Sequence, residues 1–288
     1  GVTGVQTCAL PIYRRQLEIE GEKEIEIIQD TEITTAAKFE FAETYNTPKH
    51  TVKFKPNYPA IEHLIMHELV HLKLVIDARN NQINKLFISH SQHRSAFNKL
   101  LEPSVQKLKR KGVPENQITN YINGLFDGVN LQAFNTPMDL FVENLLYVDF
   151  PELRPFQFIS VYNLLIESLQ SVTDKKVIEI TPKEIVSKNK IYNMVNAMQF
   201  RELYGIDIVS DFKPTTAELR QATSFYEEFL QYKDDKEPAE EYELVQHWAD
   251  DLQLSDYFEL VDEKAYRTKD SKEQELLNVF EKYLGIRE

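Results

Sequence analysis

The segment His67-Glu68-Leu69-Val70-His71 carries the most specific chemical signal in the chain. Two histidines four residues apart on an α-helix project from one face, one turn from each other, and can grip a single divalent cation. Glu68 follows the first histidine directly, where a carboxylate can act as general base on a water activated by the metal without ligating it. The two variable positions, Leu69 and Val70, are apolar, as a buried metal-binding helix requires. This pattern points to metal-assisted hydrolysis, with Zn2+ as the cofactor, His67 and His71 as ligands and Glu68 as the catalytic residue.

A third protein ligand is needed, and three residues compete for the place. Glu143 and Asp139 lie four apart in Pro137-Met-Asp-Leu-Phe-Val-Glu-Asn-Leu-Leu146, on one face of an otherwise apolar helix. Carboxylates there should be buried with a purpose, as a ligand or as a partner that holds a histidine. His93, in His90-Ser-Gln-His-Arg-Ser-Ala-Phe97, is the third, although a polar surface loop is the plainer reading of both His90 and His93. His63 shares the face of His67 one turn earlier and reads as a partly buried structural histidine. Tyr147 could serve as an oxyanion donor if it faces the metal.

These residues need a scaffold. Residues 23–28, 37–41 and 50–55 alternate polar and apolar and read as strands, the last two forming an antiparallel hairpin across the turn-rich connector 43–49. Pro56 and Pro59 close the third strand, and Asn57 is a plausible helix cap. From Ala60 to about Arg79 there is no glycine or proline. Ile61, Leu64, Ile65, Leu69, Leu72, Val75 and Ile76 recur there at helical spacing. Everything beyond reads as helix: residues 95–111 with Pro103 as a kink or break, 114–126, 137–148, 155–172, 182–204, 215–232, 239–252 and 272–284. Lys107, Lys109, Arg110 and Lys111 suit the C-terminal end of a helix, where the dipole favours cations. Trp248 reads as a lone aromatic of core or surface.

A strand, a short turn and a helix bearing His-Glu-x-x-His together resemble the N-terminal half of a zincin metallopeptidase, over residues 23–148. The resemblance implies an α+β fold, a small antiparallel sheet packed on the motif helix, and peptide substrate bound by strand addition along 50–55. It also implies a third ligand from a later helix in the glutamate-type members, for which Glu143 is the expected residue. His93 would suit members with a short loop, a histidine and a Phe four residues on. The gap from His71 is long for that pattern, and Arg94 stands where a small residue is usual. The expected division is a metal-binding domain over 13–150 and a helical extension over 151–288. Two functions compete. One is a zinc peptidase acting on peptide or protein substrates. The alternative is a zincin-like regulatory protein that binds or cleaves one specific protein partner.

Composition closes other doors. With 288 residues, 42% hydrophobic and 27% charged, the chain is of ordinary globular make-up. A net charge of −13 argues against a general nucleic-acid binder. The longest apolar run, 156–166, is shorter than the roughly 18 residues of a membrane span, so no membrane insertion is expected. Residues 215–288 hold 20 acidic and 9 basic side chains, which makes this quarter a solvated acidic surface or a docking face for a basic partner protein. The stretch 2–12 resembles a translated sequencing adaptor, which would assign Cys8, the sole cysteine, to a cloning scar and leave the natural N-terminus missing. A chain without cysteine suits the cytoplasm.

Overall fold

The computed structural model describes residues 9–33 and 35–268, together with the backbone of Asn278–Val279. Cys8 and the rest of the expected helix 272–284 lie outside the described residues, and the described part of that segment, Asn278–Val279, is a strand rather than a helix. The fold is α+β with a helical C-terminal half, as expected. Helix α1 (Ala9–Glu20) leads into strands β1 (Ile25–Gln29), β2 (Ala37–Glu40) and β3 (His50–Phe54). The short helix α2 (Ala42–Tyr45) fills the hairpin connector.

The sheet order is β1-β3-β2. The hairpin is present, with β2 and β3 antiparallel from Ala37↔Phe54 to Glu40↔Thr51, whereas β1 runs parallel to β3 from Ile25↔His50 to Gln29↔Phe54. This corrects one expectation. β3 is the central strand, with a neighbour on each side, so it has no free edge along which a substrate could add as a further strand.

Helix α3 (Ile61–Asn80) packs on this sheet and carries the motif. Fourteen of its twenty residues are buried, including Leu64, Met66, Leu69, Val70 and Leu72 with no exposed surface. A helix apolar nearly all round is a core helix, covered on every side. Its cover is the sheet on one side and α1, α5 (Glu115–Asp149) and α6 (Arg154–Thr173) on the others.

Two features depart from the sequence reading. Lys85–Ser89 forms strand β4, the centre of a second sheet with Glu259–Asp262 (β5) and Asn278–Val279 (β6), both antiparallel to it. Four successive residues of β4, from Leu86 to Ser89, are buried, so the strand lacks the alternation by which an exposed-face strand is recognised. Residues 114–126 and 137–148 belong to one helix, α5, of 35 residues, which continues through Pro137. An interior proline costs about 3 kcal/mol. α5 offsets that by packing against α3, α8 (Lys183–Tyr204), α10 (Glu241–Asp251) and α4 (Ser91–Arg110), the last of which also runs through its own Pro103.

The basic run closes α4 as expected, with Lys107 and Lys111 both reaching Glu179 of the short helix α7 (Lys175–Ile180). Trp248 is fully buried in α10, stacked on Phe225 of α9 (Thr216–Tyr232), its indole N–H donating to Glu228 Oε2 at 2.8 Å. One hydrophobic core runs from Tyr13 to Phe258 and includes both halves of the chain. Among the described residues no helix is long and apolar enough to cross a membrane.

Candidate metal centre

Helix α3 presents His63, His67 and His71 in one row, all buried, because four residues make slightly more than a turn. Helix α5 crosses this row and presents Asp139 and Glu143, again one turn apart. The two helices therefore meet along two polar stripes inside an otherwise apolar contact.

His67 Nε2 and His71 Nε2 stand 3.0 Å apart, and Asp139 Oδ1 lies 3.0 Å from the His71 nitrogen and 3.4 Å from that of His67. Corners of a tetrahedron with bonds of about 2.0–2.1 Å to a central zinc stand about 3.3 Å apart. All three separations fall near that value. The three atoms are all acceptors in their metal-binding forms. A proton satisfies one contact between them, whereas a cation at the centre satisfies all three.

Glu143 does something else. Its Oε1 accepts from His67 Nδ1–H at 2.8 Å, and its Oε2 accepts from His63 Nε2–H at 3.0 Å. It therefore grips the far side of the His67 ring and fixes the tautomer whose Nε2 is open to a metal. The donor atoms thus fall into two groups, His67–His71–Asp139 and His63–His67–Glu143, with His67 common to both and the expected ligand Glu143 in the second. Asp139 converges with both motif histidines, and Glu143 is the partner that holds one of them. The physical reason is the crossing of α3 and α5, which brings Asp139 opposite the His67–His71 pair and leaves Glu143 one turn on, opposite His63 and His67.

Two residues of this network were not anticipated. Gln157 on α6 donates from Nε2 to Glu143 Oε2 at 2.6 Å and to the Glu143 main-chain oxygen at 2.8 Å. Tyr204 on α8 donates its hydroxyl to Gln157 Oε1 at 2.7 Å. A chain of hydrogen bonds thus runs from Tyr204 through Gln157 and Glu143 to His67, tying four helices to one imidazole. A signal was present: Gln157 is buried inside the longest apolar run of the sequence, where an amide must have a partner.

The remaining candidates lie elsewhere. His93 stacks on His90 with ring centroids 3.7 Å apart, and both face Glu259 of β5, so they form a cluster of their own rather than joining the motif histidines. Tyr147 packs under the guanidinium of Arg154 at 4.2 Å and edge-on to Tyr204, and it is not among the residues lining the cavity at the centre. Glu68 is fully buried, about 60° round the helix from His71, and it also lies outside that cavity's lining.

Electrostatics follow the geometry. Burial alone would drive the His67 imidazolium down, but hydrogen bonds and charge from Asp139 and Glu143 outweigh it and raise the group well above the ordinary histidine value. His71 is lowered, first by burial and then by the His67 charge, against the pull of Asp139. Burial opposes ionisation of both carboxylates. Their histidine contacts prevail and hold Asp139 and Glu143 below the usual carboxylate range.

A cavity of about 410 Å³ opens on the centre, where His67, Asp139 and Glu143 form part of its wall. No family model, curated protein or solved structure matches the chain.

Proposed function

We propose that the chain is a zinc-dependent hydrolase that cleaves peptide bonds. One observation carries the reading: the two Nε2 atoms of the motif and the Asp139 carboxylate converge at the spacing of a tetrahedral zinc site. Zinc, when bound, supplies a Lewis acid that polarises a carbonyl and lowers the pKa of a water. The same donors also suit a ferrous ion. Glu68 favours the hydrolytic ion: it directly follows the first motif histidine, the place of the general base in His-Glu-x-x-His.

In this reading His67, His71 and Asp139 hold the metal, and Glu143 keeps His67 Nε2 unprotonated toward it by accepting the Nδ1–H. Glu68 is the base that takes a proton from water and delivers it to the nitrogen of the leaving amine, a role that requires its buried carboxylate to reach the cavity whose wall it does not form. The cavity orients the scissile carbonyl and limits the access of bulk water.

Metal analysis and a proteolysis assay test this. The purified chain should hold about one zinc, and Glu68→Gln should retain it while losing cleavage of casein or a peptide library. Near-zero zinc after repletion, or iron in its place, would refute the zinc reading. Unchanged turnover in Glu68→Gln would refute the assignment of the base.

A further inference from the structure

We infer that substrate reaches the metal centre from the helical half, along a channel between α5, α6 and α8 that sets side-chain amides among apolar side chains and takes an uncharged or basic extended peptide. This inference rests on the hydrolytic reading above. The strand that would ordinarily offer backbone groups to a peptide, β3, is paired on both sides. The free edges belong to β1 and β2, and neither strand lines the cavity at the centre, so the donors and acceptors offered to a peptide there come from side chains.

The cavity supplies them. On α8, Asn189, Asn193 and Asn196 follow one another at helical spacing and line it, facing Gln132 and Asn135 of α5. Each side-chain amide offers a donor and an acceptor, the same pair that a strand edge presents. The set is partly pre-organised: Gln132 Nε2 donates to Asn193 Oδ1 at 3.0 Å, and Asn193 Nδ2 donates to Asn189 Oδ1 at 2.7 Å. Asn135 Oδ1 is buried without a hydrogen-bond partner among the described residues, so an acceptor on this wall is left for a ligand N–H.

What the wall omits narrows the class. Among the described residues no lysine, arginine, phenylalanine, tyrosine or tryptophan lines the cavity, and its carboxylates are Asp139, Glu143 and Glu167. Without cations it does not select phosphate or carboxylate groups. Without aromatic faces it lacks the platforms on which bases stack. A polypeptide interior with neutral or basic side chains fits what remains.

The channel has a length. Gly124 lies at its exposed end on α5, and a Cβ added there meets open space. From Gly124 to Asp139 the helix rises about 22 Å, at ~1.5 Å per residue. An extended chain of about six or seven residues spans that distance.

The test uses the zinc-loaded full chain carrying Glu68→Gln for binding, and the wild type for cleavage. The probes are fluorescent hexapeptide pools capped by acetyl and amide groups, one enriched in lysine and one in glutamate. The lysine pool should bind at least about tenfold more tightly. Asn135→Leu and Asn193→Leu should each weaken it roughly 3- to 10-fold, the effect of one lost hydrogen bond. Gly124→Leu, which obstructs the channel far from the metal, should weaken hexapeptides about tenfold and leave capped tripeptides unaffected. Equal binding of both pools, no binding of either, or wild-type affinity in the three variants would overturn the channel. Channel-dependent binding without cleavage by the wild type would sink the hydrolase reading alone. Cleavage indifferent to the three variants would sink the channel alone.

Discussion

Asp139 and Glu143 sit one turn apart on the same helix, and replacing each by its amide separates the two roles the geometry gives them. Structural zinc sites contribute roughly 10–16 kcal/mol, or about 2.5–4 kcal/mol per ligand if divided over four. Asp139→Asn keeps the shape but removes the charged donor, so zinc affinity should fall about 10²- to 10³-fold. In Glu143→Gln the amide oxygen can still accept from His67 Nδ1–H. The new NH2 group faces Gln157 Nε2, which now lies 2.6 Å from Glu143 Oε2, and two donors cannot share that contact. A flip of the Gln157 amide relieves it only in part, because the flipped oxygen would face the Glu143 main-chain oxygen, now 2.8 Å from Nε2, and His63, whose Nε2–H also meets Oε2, must change tautomer. Such a disturbance behind a ligand costs about 10- to 100-fold. Competition against a chromophoric chelator at pH 7.5 measures both affinities, with circular dichroism confirming that each variant is folded. The reasoning fails if Glu143→Gln loses zinc more severely than Asp139→Asn, because Glu143 would then be the ligand after all.

Three further outcomes follow from the same contacts. His67 is raised well above the ordinary histidine value in the metal-free chain, so it is protonated near neutral pH. Zinc binding at pH 7 should therefore release about one proton from this residue, read by calorimetry in buffers of differing ionisation enthalpy, and zero release would contradict the raised value. His50, on β3, accepts from the Ala42 N–H at Nδ1 and is lowered to about 4 by burial. Its neutral form stabilises the fold, an effect fully present above pH 6.5 and lost as the pH falls toward 4. The loss amounts to about 2 kcal/mol by pH 5. His50→Asn, which keeps an acceptor near Nδ1, should show that much less destabilisation between pH 7.5 and 5 in denaturant unfolding, and an identical loss in both proteins would exclude His50 as the cause. Glu263 receives Arg79, Asn84 and Arg267 at one buried carboxylate and ties α3 to the segment that follows β5. Glu263→Ala should cost about 3 kcal/mol of unfolding free energy, since it leaves a partly buried guanidinium without its fork, and a change under 1 kcal/mol would mean the network is solvated.

Local signals were sufficient for the motif helix. His67, Glu68 and His71 were legible because their chemistry depends on spacing along one helix, and the hairpin of β2 and β3 because its alternation and turn are contiguous. Buried elements hid themselves for a physical reason: β4 is covered on both faces and so does not alternate, and α5 runs through Pro137 because packing along its length outweighs the local penalty. The choice between Asp139 and Glu143 could not be read from the chain at all. Both are carboxylates on one face of one apolar helix, equally costly to bury, and only the crossing of α3 and α5 decides which oxygen meets two Nε2 atoms and which meets an Nδ1. Gln157 and Tyr204 complete that arrangement from helices that only the folded core brings to the site.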